Sequence, residues 1–295
     1  MNSNNVLLNV NHECGKSVAK LSGIPYFDLI LKKFPDREHY VRIPFSPKGK
    51  KVFLLCDFSQ DPSTYFTITL FVSRTLRLGG AKKIYLIAPY LVYLRQDKEF
   101  NPGEVVSGKV FGEFISHNFD GVITIDPHLH RVENLSGFFS CKAQKLTATK
   151  LISSYLGKRT DDFIIVGPDI ESKQWVKQIA DEIGRDYYVA LKKRFGSRKV
   201  AIKVSGSKTF FKNRKVVIVD DIISTGHTIL EAVKSLKKKK IGKIECLCVH
   251  GIFAENALYK LRKMGIRVYS TNTLKNNASF IDVSSVLAEG IKKWL

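Results

Sequence analysis

Short apolar runs rich in β-branched residues recur along the chain, at residues 52–56, 84–88, 122–125, 163–166, 187–191, 216–219 and 244–249. Each has the length of a strand, and none alternates polar with apolar residues as a half-exposed strand must. Such runs suit a parallel sheet covered on both faces. Between most of them lie stretches with helical spacing, at 67–78, 105–117, 174–183 and 228–236. That alternation predicts an α/β fold, a mainly parallel sheet flanked by helices. The pattern also echoes itself. Lys50-Lys51-Val52-Phe53-Leu54-Leu55-Cys56-Asp57-Phe58 resembles Arg214-Lys215-Val216-Val217-Ile218-Val219-Asp220-Asp221-Ile222, and Ala81-Lys82-Lys83-Ile84 resembles Ile241-Gly242-Lys243-Ile244 at nearly the same offset. A chain of 295 residues can hold two cores, so two lobes of similar topology are expected. The changeover is placed at 147–161, where no strand-like run appears.

The second copy of the repeated strand ends in chemistry. Asp220 and Asp221 follow Val219, then two aliphatic residues, then Ser224-Thr225-Gly226-His227-Thr228 at the start of a helical stretch. Unpaired N–H groups at a helix N-terminus carry partial positive charge, and Gly226 with the surrounding hydroxyls can wrap a phosphate. Two adjacent carboxylates would repel phosphate but accept hydrogen bonds from sugar hydroxyls. The segment therefore reads as a grip for a phosphorylated sugar. No G-x-x-x-x-G-K-[ST] loop is present, since Val10 stands where the first glycine would precede Gly15-Lys16-Ser17.

Charge and cysteines set the remaining bounds. Lys and Arg outnumber Asp and Glu 48 to 27, a net charge of +21 that attracts phosphorylated metabolites, nucleic acid or acidic lipid alike. Much of the excess sits in clusters such as 237–240, where positive charge suits a helix C-terminus. No helix-turn-helix, zinc or RNA-binding motif supports a nucleic-acid role. Cys14, Cys56, Cys141, Cys246 and Cys248 form no disulfide framework, which implies a reducing, cytoplasmic setting; Cys246 and Cys248 share one strand face but lack a second ligand pair for a metal. No apolar stretch reaches membrane length.

The aspartate pair with Thr-Gly-x-Thr resembles the phosphoribosyl-binding loop of the phosphoribosyltransferase fold. Over nearly its whole length the chain resembles the ribose-phosphate pyrophosphokinases, also called phosphoribosyl pyrophosphate synthetases. Phe34-Pro35-Asp36-Arg37-Glu38 is similar to that family's ATP-base loop, which implies ATP contacts for Phe34, Asp36 and Glu38. Arg95-Gln96-Asp97, with Asn101-Pro102-Gly103-Glu104 beyond it, is similar to a second ATP segment; Arg95 can fork onto phosphate oxygens while Gln96 supplies amide hydrogen bonds. Asp126-Pro127-His128 and Gly167-Pro168-Asp169 resemble segments whose histidine and aspartate bear on magnesium, giving His128 and Asp169 as metal residues and His130 as a weaker candidate. Lys192-Lys193-Arg194 resembles the mobile basic loop, which implies catalytic roles for Lys192 and Arg194, the latter also touching the ribose phosphate, with Lys193 the alternative if the register slips. Asp220, Asp221, Ser224, Thr225, Gly226, His227 and Thr228 would hold ribose 5-phosphate. Val249-His250-Gly251-Ile252-Phe253, Thr271-Asn272-Thr273 and Val286-Leu287-Ala288-Glu289-Gly290 continue the likeness in order.

The resemblance implies two phosphoribosyltransferase-type domains: 1–148 joined by the C-terminal segment 283–295, and 149–282. It further implies attack by the anomeric hydroxyl of ribose 5-phosphate on the β-phosphorus of magnesium-bound ATP, with AMP leaving, and a homo-oligomer with the ATP site near a subunit interface. The chain departs from the family pattern at Arg37, where glycine is usual, at Ser224 and His227, and at Glu171-Ser172, where glycines are common. The rival readings are a phosphoribosyltransferase using the same loop, against which the Arg95-Gln96-Asp97 segment speaks, a non-catalytic regulator, and a nucleic-acid-binding protein.

Overall fold

The computed structural model describes residues 4–129, 134–194, 200–203, 211–239 and 241–295, with side chains described in all of these except 191–194 and 200–203. Backbone contacts divide the chain into two units. Unit 1 comprises 1–147, 273–275 and 282–295; unit 2 comprises 148–272 and 276–281.

In unit 1 the strands are β1 (Asn5–Asn9), β2 (Tyr26–Asp28), β3 (Ile30–Lys33), β4 (His39–Arg42), β5 (Lys51–Leu55), β6 (Lys83–Ile87), β7 (Gly121–Ile125) and β8 (Lys142–Leu146). Six of them form one parallel sheet in the order β2-β1-β5-β6-β7-β8, while β3 and β4 stand apart as an antiparallel hairpin. Helices α1 (Gly15–Ser22), α2 (Pro62–Leu78) and α3 (Ser107–Asn118) connect the strands. Unit 2 begins with α4 (Thr149–Gly157), which fills the stretch that lacked any strand-like run. Its strands are β9 (Phe163–Gly167), β10 (Tyr187–Val189), β11 (Leu191–Arg194), β12 (Val200–Lys203), β13 (Lys215–Ile223), β14 (Ile244–Gly251), β15 (Arg267–Thr271) and β16 (Ser279–Ile281). Its parallel sheet runs β10-β9-β13-β14-β15-β16, with β11 and β12 as a separate antiparallel ribbon. Helices α5 (Lys173–Ile183), α6 (His227–Lys237) and α7 (Ala257–Lys263) join them, and α8 (Ser284–Lys292) packs back on α1 of unit 1.

Renumbered within each sheet, both orders read second, first, third, fourth, fifth, sixth. Both units also carry an antiparallel hairpin between the second and third sheet strands. The sequence echo thus has a structural counterpart, because β5 and β13 are the third strands and β6 and β14 the fourth. The central strands carry continuous apolar runs because helices cover both faces: Val52 to Leu55 and Val216 to Val219 are all at most 1% exposed. At roughly 1.5–3 kcal/mol for each buried aliphatic side chain, these strands are the main stabilising element of each sheet. Cys246 and Cys248 lie in the unit 2 core cluster, as small apolar residues do.

Two details differ from the expected elements. The run 187–191 breaks at Ala190, whose N–H donates to the Gly167 carbonyl at 2.8 Å as the chain leaves the sheet for the ribbon. The strand expected at 216–219 continues to Ile223, so Asp220 and Asp221 are strand residues, with Asp220 opposite Cys248 and Ile222 opposite His250.

Candidate active site

In an open parallel sheet a ligand crevice forms at the C-terminal ends of the strands where the order reverses. In unit 2 that point lies between β9 and β13. The first strand delivers Asp169 there, directly after Gly167-Pro168, and the third delivers Asp220 and Asp221 followed by residues 224–228. Gly167 is required by close packing, because a Cβ would stand 2.3 Å from the Ser172 hydroxyl. That hydroxyl donates to the Asp169 carbonyl at 2.6 Å, and the Asp169 carboxylate accepts the Glu171 N–H at 3.1 Å. The local turn therefore holds the buried Asp169 in a fixed orientation.

The three aspartates interact. Burial, then the neighbouring charges of Asp221 and Asp169, push the Asp220 carboxyl well above the usual carboxylate range, and the Asp221 N–H donating to its Oδ1 at 3.1 Å offsets only part of this. Three carboxyl groups are thus crowded at the crevice, a setting suited to sugar hydroxyls and to a hard cation that would relieve the strain.

The 224–228 loop follows. Gly226 is the N-cap of α6 with φ +72°, a left-handed conformation that favours glycine, and no side chain caps the helix. Nearby, the His227 Nδ1 and the Thr225 hydroxyl are 2.9 Å apart. The N-cap residue of this eleven-residue helix thus offers no side chain of its own to the first-turn N–H groups.

Unit 1 shows the same strand ends closed. Asn11 and Asp57 exchange two hydrogen bonds, the Asn11 amide donating to the Asp57 carbonyl at 2.7 Å and the Asp57 N–H to Asn11 Oδ1 at 2.8 Å. The Asp57 carboxylate accepts the Ser59 N–H at 2.8 Å. Where α6 has an uncapped glycine, α2 has Asp61, whose carboxylate takes the Thr64 N–H at 3.0 Å and the Thr64 hydroxyl at 2.7 Å. A built-in carboxylate thus caps α2 at the position where α6 has Gly226. Asp61→Ala should accordingly lower the melting temperature by roughly 2–4 °C, the effect of a lost N-cap in a chain this size, without changing sugar-phosphate binding in titration calorimetry. An unchanged melt would show that the cap contributes nothing.

The other expected site residues of unit 1 lie on loops. Phe34, Asp36 and Glu38 are exposed at the tip of the β3–β4 hairpin, which is closed by Phe34 N–H to Glu38 carbonyl at 2.8 Å and Glu38 N–H to Asp36 Oδ1 at 3.1 Å. Arg37 has φ +79°, which explains why glycine is usual there. Arg37→Gly should leave stability unchanged or raise it by up to about 1 kcal/mol, whereas Arg37→Val should lower it by about 1–2 kcal/mol; urea unfolding distinguishes these, and equal midpoints would refute the strain. Arg95 is exposed and Gln96 half-buried on the loop before α3, held where the Gln96 carbonyl accepts the Gly108 N–H at 3.2 Å. Glu104 is spent within its own loop, accepting from Phe100 N–H at 2.9 Å and the Asn101 amide at 2.6 Å. His128 is half-buried after β7, beyond the buried Asp126. Lys192 and Arg194 are placed only as backbone, in β11 opposite Ile202 and Val200. His130, and Gly196 and Ser197 beyond the basic run, lie outside the described residues.

Sequence reasoning missed the Asn11–Asp57 clamp, which joins residues distant in sequence. The Asp61 cap was readable, since Asp-Pro before a helical stretch is a start signal.

Comparison with known proteins agrees with this arrangement. Residues 6–118 match the N-terminal domain of ribose phosphate pyrophosphokinase, and residues 141–287 match the phosphoribosyl transferase domain. The chain is 32% identical over 280 residues to the ribose-phosphate pyrophosphokinase of Methanothermobacter thermautotrophicus, covering 94% of this chain and 95% of that one. It is 30% identical over 263 residues to that of Methanopyrus kandleri, covering 88% of each. The crystal structure of phosphoribosylpyrophosphate synthetase from Mycobacterium smegmatis superposes with a TM-score of 0.84 over 98% of both chains at 24% identity, a likeness of fold. Two units with one strand order, matched over most of their length by these family models and relatives, place the chain in the ribose-phosphate pyrophosphokinase family.

Proposed function

We propose that this protein transfers the β,γ-pyrophosphoryl group of ATP to the anomeric hydroxyl of ribose 5-phosphate, giving phosphoribosyl pyrophosphate and AMP. The observation that carries the reading is the open crevice of unit 2, where the uncapped α6 N-terminus follows two strand-end aspartates. Phosphate would sit on the N–H groups and hydroxyls of 224–228, and Asp220 and Asp221 would accept hydrogen bonds from the ribose hydroxyls, fixing the sugar for attack. Phe34, Asp36, Glu38, Arg95 and Gln96 would bind ATP. Lys192 and Arg194 would neutralise charge developing on the transferred group, and Arg194 would also contact the sugar phosphate. Membership of a pyrophosphokinase family along nearly the whole chain favours making the sugar pyrophosphate over using it.

The family implies magnesium, and the donor set fits it: a hard ion takes oxygen ligands, and the carboxylates at the crevice supply them in a place already crowded with negative charge. Among the described residues no group of three or more His, Cys, Asp or Glu side chains could by itself hold a metal, which suits an ion that keeps waters and substrate phosphates as ligands. Asp169 and His128 would be its protein partners, and when bound it would offset phosphate charge. The reading includes a homo-oligomer with the 34–38 loop near a subunit interface, and a cytoplasmic setting. No described helix is long and apolar enough to cross a membrane.

The deciding experiment incubates the purified chain with ATP, ribose 5-phosphate and magnesium. AMP and phosphoribosyl pyrophosphate should appear in equal amounts. Ribose 5-phosphate binding without either product would leave a non-catalytic binder, and consumption of phosphoribosyl pyrophosphate with a free base would identify a transferase.

A further inference from the structure

A basic-rimmed cavity lies at the N-terminal edge of the unit 2 sheet. There the end of α6, the start of β14 and the turn from α7 into β15 enclose a cavity of about 390 Å³, within the roughly 300–1,000 Å³ of small-molecule sites. Its wall has two chemistries. Ile244 and Ile266 are buried and Ile241 and Met264 half-buried, which gives an apolar floor. Lys237, Lys243 and Arg267 are exposed around it. One acid, Glu245, also lines it, but the Arg159 guanidinium already holds that carboxylate at 2.6 Å, with Arg267 4.0 Å away. Arg159 and Lys215 in turn balance Asp161 at 2.7 and 2.8 Å. Once these pairs are matched, the rim keeps a positive excess. Gly242 and Gly265, the latter at φ +79°, contribute no side chains and leave the backbone approachable.

We propose that this cavity binds a phosphorylated ring compound of nucleoside monophosphate size, its ring on the Ile244–Ile266 floor and its phosphate on Lys243 and Arg267. The apolar floor argues against a bare inorganic anion, which would gain nothing from it. The absence of aromatic residues from the lining argues against a stacked nucleic-acid strand. Lys237 completes the rim; its ammonium now donates to the Met264 carbonyl at 2.9 Å, within reach of the same cavity. The site uses none of the residues assigned to pyrophosphoryl transfer, so it stands or falls separately from that activity.

Titration calorimetry with AMP tests it on the intact chain. Wild type should show two binding events. Lys243→Ala with Arg267→Ala should weaken one by about tenfold or more, and Arg95→Ala should weaken the other. Ile266→Asn should weaken the cavity event for AMP while leaving any inorganic phosphate binding unchanged. A single event indifferent to Lys243 and Arg267 would overturn the proposal. So would inorganic phosphate binding as tightly as AMP, or a single-stranded RNA oligomer competing at the cavity more strongly than AMP. Circular dichroism of each variant separates lost binding from lost folding.

Discussion

Lys192→Ala is expected to cut turnover by about two to three orders of magnitude while leaving the dissociation constant for ribose 5-phosphate within about threefold. In a reaction that needs no covalent enzyme intermediate, cationic side chains act where negative charge grows, and they matter more in the transition state than in the bound ground state. The fold gives Lys192 a suitable platform. It lies on the β11–β12 ribbon, bonded strand to strand and outside the main sheet, with β12 alongside α6, the helix that follows the 224–228 loop. The ribbon occupies the same place in the strand order as the β3–β4 hairpin of unit 1, whose tip carries Phe34, Asp36 and Glu38. Rapid-quench measurement of AMP formation, paired with equilibrium binding of the sugar phosphate, reads the two effects separately. Equal losses in both would make Lys192 a ground-state binding residue, and undiminished turnover would remove it from the reaction.

The second large effect runs in opposite directions for stability and function. Asp220→Asn should stabilise the ligand-free protein by about 1–2 kcal/mol, a rise of a few degrees in melting temperature, and weaken ribose 5-phosphate binding by at least about tenfold. Burial beside Asp221 and Asp169 raises the Asp220 pKa above its unfolded value, so folding favours the protonated form. The stabilisation that this carboxyl contributes is therefore present in acid and lost as pH rises through the raised pKa. Consequently the advantage of the asparagine variant should grow from about pH 4 to neutrality. Thermal melts across that range, with and without sugar phosphate, check both halves. A variant less stable than wild type at neutral pH would show that the aspartate cluster is not strained.

What was legible in the sequence was what short stretches carry alone. The loop at 220–228 announces itself because turn, hydroxyls and carboxylates are contiguous, and the strands 52–56 and 216–219 are apolar throughout because both faces are covered. The edge strand β8, Lys-Ala-Gln-Lys-Leu, was not legible: one side lacks a neighbouring strand, so its residues are exposed or half-buried and carry no apolar run. β15, Arg-Val-Tyr-Ser-Thr, hides for a different reason: paired on both sides, it buries polar Ser270 and Thr271, the Thr271 hydroxyl donating to the Val249 carbonyl at 2.8 Å. The end of β10 at Val189 depends on the ribbon that follows. Among site features, the acid cluster of Asp169 with Asp220 requires β9 and β13 to be adjacent, a pairing between strands some fifty residues apart that no local pattern specifies.

The shared strand order has an evolutionary consequence. A duplicated sheet begins with two copies of one cradle, and each copy is then free to drift until something else holds it in place. In the first unit Asn11, Asp57 and Asp61 are engaged in hydrogen bonds of the fold, so substitutions there should show first in whether the protein survives heating. In the second, on the proposed function, Asp220 and Gly226 would answer to a ligand, and selection would keep them even when a change would make the chain sturdier. A survey of tolerated substitutions should therefore show two different rules at matching positions of the two halves.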